Sequence, residues 1–124
     1  MTPPSVLLDD SFLAALFDPS HESAGVAHER YAELVTQFEG HEIRLRARHD
    51  HLGQTPQGAR RSFLAPVETV YVAGQHRRAA KRLELPFEAE PDEAVTLVIM
   101  RREQITRIAS FRPVFELLDV TVHR

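Results

Sequence analysis

The sequence contains no cysteine, so neither a disulfide framework nor a cysteine-based zinc site can hold the chain together. It also lacks an apolar run approaching the roughly 20 residues that a membrane-spanning helix needs. Its first residues, MTPPSVLLDD, have neither the basic start nor the apolar stretch of a signal peptide. These absences predict a soluble, cytoplasmic protein with no membrane part.

Two catalytic patterns are absent as well. No glycine-rich phosphate loop is present, and no Ser/His/Asp nucleophile pattern can be recognised. The chain has 124 residues, of which 43% are hydrophobic, which is enough for one compact core and too little for two. We therefore expect a single domain spanning residues 1–124.

The net charge of −3 hides an uneven distribution of charged residues. Between residues 44 and 82, only Asp50 and Glu68 are acidic, and the rest of the chain has a net charge of −10. The basic residues of this middle segment are Arg44, Arg46, Arg48, Arg60, Arg61, Arg77, Arg78, Lys81 and Arg82. Such a segment is either an electrostatic footprint for a polyanion or a solvated face.

Hydrophobic periodicity alternates between strand-like and helix-like segments along the chain. SVLLD reads as a buried strand, and SFLAALF reads as a helix starting at Ser11. Apolar residues at helical spacing predict a second helix over residues 24–38, with Gly40 as its stop. EIRLRA alternates like a strand, and RHDHLG reads as a short helix that leads into a loop.

The second half of the chain continues this alternation. We interpret APVETVYVAGQHRRAAKRL as a helix beginning near Pro66, with a strand over VETVYV as the competing interpretation. DEAVTLVIMRRE predicts a helix buried nearly all round, and ITRIASF and LLDVTV predict two closing strands. The pattern indicates a three-layer α/β/α domain with a mainly parallel sheet. Asp9 and Asp10 would then lie at the carboxyl end of a strand, where such sheets bind ligands.

Two segments resemble PIN-domain nucleases. VLLDDSFLAALF is similar to their first motif, and PDEAVTLVIMRREQITRIASFRPVF is similar to their C-terminal half. The resemblance covers most of the chain in length and order and is weakest from about residue 41 to 65. It implies a VapC-like toxin of a toxin–antitoxin pair that binds Mg²⁺ or Mn²⁺ through clustered carboxylates and cuts single-stranded RNA. It also implies a cognate antitoxin and a homodimer formed through segments 11–17 and 22–38.

The resemblance also carries site residues over to this chain. The first acid falls on Asp9, with Asp10 beside it, and the third falls on Asp92, with Glu93 beside it. The second acid is Asp50 by its spacing from Asp9 and Asp92, or Glu68 by its local string FLAPVETVY, or it is lost. Hard divalent cations prefer such oxygen ligands. We expect the carboxylates of Asp9 and Asp92 to converge at one end of the sheet.

The chain departs from the family at Arg112, which stands in SFRPVF where the family has its fourth acid. An arginine there can hold a substrate phosphate, a role also assigned to Arg46 and Arg48, or it can pair with Asp9 or Asp92 and replace the metal's charge. Two hypotheses follow: a metal-dependent endoribonuclease, or a catalytically degenerate PIN-like module for RNA binding, dimerisation or regulation. We expect His49 and His51 to face solvent or RNA.

Overall fold

The structure is a computed structural model that describes residues 2–124. Its strands are Ser5–Leu8 (β1), Arg44–Arg48 (β2), Val67–Val70 (β3), Arg107–Ala109 (β4) and Thr121–His123 (β5). Its α-helices are Asp10–Phe17 (α1), Ala24–Glu39 (α2), His49–Leu52 (α3), Gly74–Arg82 (α4) and Pro91–Arg102 (α5). Two short 3₁₀ helices cover Ala59–Arg61 and Pro113–Leu117. No helix among residues 2–124 is long and apolar enough to cross a bilayer.

The five strands form one sheet in the order β3-β2-β1-β4-β5, and every neighbouring pair is parallel. β1 lies at the centre because its apolar residues Val6, Leu7 and Leu8 can be buried on both faces of the sheet. From β1 the chain builds outward through β2 and β3, and then returns to the other side of β1 for β4 and β5. The sheet therefore has its topological switch point between β1 and β4.

Helices cover both faces of the sheet, which confirms the predicted three-layer arrangement. On one face, α1 and α2 contribute Phe12, Leu16 and Leu34 to a core with Val6 and Leu8. The other face is covered mainly by α5, whose Val95, Ile99 and Met100 pack with Leu7 of β1 and Ile108 of β4. All six residues from Val95 to Met100 are buried, as the apolar composition of this helix predicts.

The prediction of one helix from Pro66 onward is wrong for its first part. Residues Val67–Val70 form strand β3, which pairs in parallel with β2, and the helix begins only at Gly74. β-branched valines suit a pleated strand, and Val70 is buried against the core beneath α5. The competing strand interpretation therefore holds for the first four residues of VETVYV.

Candidate active site

Six carboxylates gather at the carboxyl end of the sheet, and we call them the acidic cluster. Two of them directly follow β1, one follows β2, and three lie at the start of α5. They are Asp9, Asp10, Asp50, Glu90, Asp92 and Glu93. Carboxyl ends of parallel strands meet at one edge, so residues distant in sequence become neighbours there. The cluster includes the β1/β4 switch point, the usual ligand position in such sheets.

Asp9 is the most deeply buried member, with 1% of its surface exposed. It caps α1: its Oδ1 accepts hydrogen bonds from the Phe12 backbone N–H at 2.9 Å and from Ser11 Oγ at 2.7 Å. Its Oδ2 accepts a hydrogen bond from Ser110 Oγ, which follows β4. Burial raises the pKa of Asp9, although these hydrogen bonds oppose the shift. Asp9 therefore ties the end of β1 to the end of β4.

Asp10 and Arg112 form a bidentate ion pair. Arg112 Nε donates to Asp10 Oδ1 at 3.0 Å, and its Nη2 donates to Oδ2 at 2.6 Å. The remaining nitrogen, Nη1, lies 3.3 Å from Glu90 and 3.4 Å from Glu93, while Nε lies 4.0 Å from Asp9. Burial alone would raise the pKa of Asp10, but the Arg112 hydrogen bonds and charge outweigh it, so the pKa is lowered. Hydrogen bonding to Asp10 also raises the pKa of Arg112.

A second guanidinium, that of Arg48, lies fully buried on the other side of the cluster. It bonds Asp50 through Nε and Nη2, at 3.0 and 2.5 Å, and its Nη2 lies 2.9 Å from Asp92 Oδ1. Its Nη1 donates to Thr96 Oγ1 at 2.9 Å and to the Asp92 carbonyl oxygen at 3.1 Å. Desolvation works against ionisation of Asp50, but the bonds to Arg48 prevail and lower its pKa.

Between the two arginines lies a candidate metal site formed by Asp10, His51 and Asp92, which we call the metal-binding triangle. One ligand atom from each of the three residues lies within 4.8 Å of the others. His51 Nε2 is 3.1 Å from Asp92 Oδ2, and only 3% of the residue is exposed. His51 Nδ1 is buried and has no hydrogen-bond partner among the described residues. The ligand set of two carboxylates and one imidazole suits a divalent cation.

The electrostatic balance decides whether such an ion fits. The acidic cluster has six carboxylates, while its guanidiniums are Arg48, Arg112 and, at 3.9 Å from Asp50, Arg77. Negative groups therefore outnumber positive ones, and each ligand oxygen keeps a further lone pair for a cation. The charge balance therefore leaves the triangle able to take a divalent cation, in competition with the two inner arginines.

The structure brings some of the predicted residues together and leaves others apart. The acidic cluster contains Asp50 but not Glu68, which sits on β3 and pairs with Arg44 at the exposed sheet edge. Arg46 reaches Glu103 at 3.3 Å. Asp92 points to Arg48 and His51, whereas its neighbour Glu93 reaches Arg112.

Three contributors were missed by reasoning from the sequence. Ser11 and Ser110 hold Asp9, and both stand inside the two segments that resemble PIN domains. His51 was expected at the surface and is instead buried against Asp92, while His49 is exposed as expected. The sequence gives no signal for this difference, because it depends on how α3 packs.

Comparisons with known proteins agree with this architecture. No family model matches the chain, and no curated protein matches its sequence. Among solved structures, it is similar to VapC20 of Mycobacterium tuberculosis, a toxin that cleaves the sarcin–ricin loop. The TM-score is 0.68 over 93% of this chain and 98% of that one, at 18% sequence identity. The fold is PIN-like.

Within this PIN-like fold, the acidic cluster lies at the switch point and is paired with two guanidinium groups, those of Arg48 and Arg112. Asp9 and Asp10 occupy the end of the central strand, and Arg112 follows β4 across the switch point from them. The arrangement can hold a divalent cation at the triangle, or it can remain neutralised by its own guanidiniums. Both are physical options for the same residues.

Proposed function

We propose that the protein is a PIN-type endoribonuclease, the toxin of a toxin–antitoxin pair, which cuts single-stranded RNA with Mg²⁺ or Mn²⁺. The observation that carries the proposal is the acidic cluster at the switch point of a PIN-like fold. VapC20, which shares this fold, is a toxin that cleaves RNA at the sarcin–ricin loop. A cognate antitoxin and a homodimer are further parts of the proposal.

Asp10, His51 and Asp92 would hold the ion, since their ligand atoms lie within 4.8 Å of one another. When bound, such an ion acts as a Lewis acid on a phosphoryl oxygen and lowers the pKa of a bound water. Mg²⁺ prefers an all-oxygen shell, whereas divalent first-row transition metals accept imidazole more readily. Of the two proposed ions, the histidine therefore counts against Mg²⁺.

The other residues of the acidic cluster have supporting roles in this proposal. Asp9, held by three hydrogen bonds, keeps β1 and β4 in register at the site. Arg112 keeps 26% of its side chain exposed and has two alternative roles: it donates to an RNA phosphate from beside Asp10, or it restrains metal binding through its bonds to Asp10. Arg48 has no exposed surface, and its donors are used inside the protein, so we assign it to positioning Asp50 and Asp92.

Cleavage of a fluorescently labelled single-stranded RNA, with Mg²⁺, Mn²⁺ or EDTA, tests the proposal directly. We expect cleavage that EDTA abolishes and that Asp10→Asn or Asp92→Asn reduces by at least roughly 10- to 100-fold, since that is the usual cost of removing even a residue that only positions a metal ligand. Glu68→Gln is the matched control, because this carboxylate also pairs with an arginine but lies outside the cluster. Circular dichroism checks that each variant is folded.

A second candidate function is a catalytically degenerate PIN-like module that binds RNA, dimerises or regulates without cutting. The observation that favours it is the pair of inner guanidiniums, since Arg112 and Arg48 occupy oxygens of Asp10, Asp50 and Asp92. This candidate predicts no cleavage with either metal, in the native protein and in the Asp10→Asn variant alike. Cleavage by the native protein that depends on Asp10 rules it out.

A further inference from the structure

The aromatic side chain of Tyr71 is exposed to solvent. It directly follows β3 at the carboxyl end of the sheet, and 66% of the residue is exposed. One neighbour of its ring is the exposed His49, with ring centroids 5.0 Å apart and planes 28° from parallel. Phe63, the other markedly exposed aromatic residue in the described chain, packs instead against Phe17 and Tyr31. Tyr71 is therefore a flat aromatic surface that the core does not use.

This Tyr71–His49 stack is coupled to the acidic cluster through the single turn of α3. His49 stacks with Tyr71, Asp50 bonds Arg48, and His51 contacts Asp92. The three residues are consecutive, so one helical turn carries the stack at one side and a ligand of the metal-binding triangle at the other. A ligand stacked on Tyr71 would therefore lie next to the helix that carries His51 of the triangle.

Positive charge lies next to the stack on α4, which begins three residues after Tyr71. This helix, GQHRRAAKR, carries Arg77, Arg78, Lys81 and Arg82 and has no acidic residue. Arg77 lies 3.9 Å from Asp50, so the first turns of α4 lie next to α3. Across residues 2–124, no carboxylate lies within 4.0 Å of the charged nitrogens of the other three cations.

The Arg78 guanidinium is folded back toward the start of α4. Its Nη1 lies 3.2 Å from the point where a Cβ of residue 74 would be, so the missing side chain of Gly74 leaves room for it. The guanidinium therefore lies near the N-terminal end of the helix, which begins three residues after Tyr71. An exposed aromatic face and cations without a carboxylate partner therefore follow each other closely along this part of the described chain.

We propose that the Tyr71–His49 stack is a subsite for a nucleobase of single-stranded RNA, with the cations of α4 holding the adjoining phosphates. The inference rests on the proposed function only in taking RNA as the ligand. Every base has a π-face, so stacking on an aromatic ring combined with basic groups along the backbone is the usual chemistry of single-strand binding. Unpaired cations favour a polyanion over a protein surface, which would leave them desolvated.

Equilibrium binding in EDTA tests the subsite without cleavage, using fluorescence anisotropy of a labelled single-stranded oligonucleotide RNA. We expect Tyr71→Ala to weaken binding roughly tenfold, the typical effect of losing one stacking partner. Tyr71→Phe keeps the ring and should bind within about twofold of the native protein, since stacking needs no hydroxyl. Leu117→Ala is the matched control, because Leu117 is also 66% exposed but is not part of the stack.

Intrinsic fluorescence gives a second readout that a structural role would not change. The chain has two tyrosines and no tryptophan, and Tyr31 is buried with its hydroxyl donating to the Phe63 carbonyl oxygen. Stacking of a base on Tyr71 should quench tyrosine emission during an RNA titration. The quenching should disappear in Tyr71→Phe, although that variant still binds.

The outcomes separate this inference from the proposed function. If the native protein binds RNA but Tyr71→Ala binds equally well and tyrosine emission is unchanged, the subsite is overturned and the nuclease proposal stands. Absence of any binding to single-stranded RNA at low salt overturns both. If Tyr71→Ala changes self-association and leaves RNA affinity intact, the exposed ring is a protein contact and the inference is wrong.

Discussion

Arg112 is the residue on which the chemistry of the acidic cluster depends most. A guanidinium stays protonated at any working pH, and this one satisfies both oxygens of Asp10 while lying near three further carboxylates. A divalent ion at the triangle must share Asp10 with it. Metal affinity should therefore be weaker than in a site built from carboxylates alone.

Arg112→Asp should reverse this competition. Without metal, the variant loses charged hydrogen bonds worth about 1.5–3 kcal/mol each and adds a carboxylate beside Asp9, Asp10 and Glu93, so it should be less stable. Mn²⁺ should then raise its melting temperature more than it raises that of the native protein, and RNA cleavage should increase. Differential scanning fluorimetry with and without Mn²⁺ measures the first effect, and the labelled RNA assay measures the second.

Arg112→Gln is the control, because it removes the cation without adding an acid. Its metal-induced shift should fall between those of the native protein and Arg112→Asp. If the native protein cleaves RNA and both variants lose cleavage while gaining metal affinity, Arg112 acts as a phosphate clamp. If no variant binds metal or cuts RNA, the nuclease proposal fails.

At the residue scale, the sequence predicts the acids that follow a strand or start a helix, and little of what surrounds them. Asp9 and Asp10 follow a recognisable buried strand, and parallel sheets place such positions at the ligand-binding edge. The role of His51 was missed because His49 and His51, two apart on a short helix, face different ways, and only packing decides which one is buried. The burial of Arg48 likewise depends on its contacts with Asp92 and Thr96 of α5, which are 44 and 48 residues away in the sequence.

Among the secondary-structure elements, α3 depends most on tertiary contacts, since a helix of four residues has little stability of its own. The Arg48 guanidinium links the end of β2 to Asp50 of α3 and to Asp92 and Thr96 of α5. It thus holds together β2, α3 and α5, and the two helices carry His51 and Asp92 of the triangle and His49 of the stack. Its removal should disturb both sites at once.

Arg48→Met tests this role of Arg48. The change removes charged hydrogen bonds to Asp50 and Asp92, whose side chains are partly exposed and stay solvated, so the free energy of unfolding should fall by about 1.5–3 kcal/mol. Arg44→Met is the control on the same strand: Arg44 also pairs with a carboxylate, Glu68, but at the exposed edge, where such pairs contribute about 0–1 kcal/mol. Urea denaturation followed by circular dichroism measures both. Equal losses in the two variants would show that Arg48 does not brace these elements.

For residues 66–83, the sequence pattern alone does not distinguish a strand from a helix. Val67 and Val70 are three residues apart, which fits one face of a helix. A four-residue strand has too few positions for the strand period of two residues to be told from the helix period of 3.6. Pairing with β2 decides in favour of the strand, and this long-range contact has no local signature. By contrast, α2 was predictable because its apolar positions repeat over several turns, and α5 was predictable because a nearly continuous apolar segment follows Pro91 and two acidic residues.

Considered as a whole molecule, the protein separates its charges in space as well as in sequence. Acidic residues crowd the switch point, and the cations of α4 lie next to them, so a net charge of −3 does not exclude a polyanionic ligand. Part of the basic middle segment is used internally, because Arg44, Arg46 and Arg48 pair with carboxylates. The residues of this segment that have no carboxylate partner among residues 2–124 are Arg60, Arg61, Arg78, Lys81 and Arg82, so these cations remain for the proposed RNA ligand.

The resemblance to PIN domains implies that the protein forms a homodimer through α1 and α2. The outer face of α2 keeps an apolar residue, Val26, 44% exposed. We expect light scattering after size exclusion to give twice the 14.1 kDa chain mass, and Val26→Glu to shift the population toward monomer, because a buried unpaired carboxylate opposes association. Leu117→Glu is the control, since Leu117 is exposed on the 3₁₀ helix Pro113–Leu117, outside these helices, and its change should leave the mass unaltered.

A native protein that remains monomeric at high concentration contradicts the prediction. A dimer sensitive to Leu117→Glu and not to Val26→Glu would place the interface on the β5 side of the sheet instead.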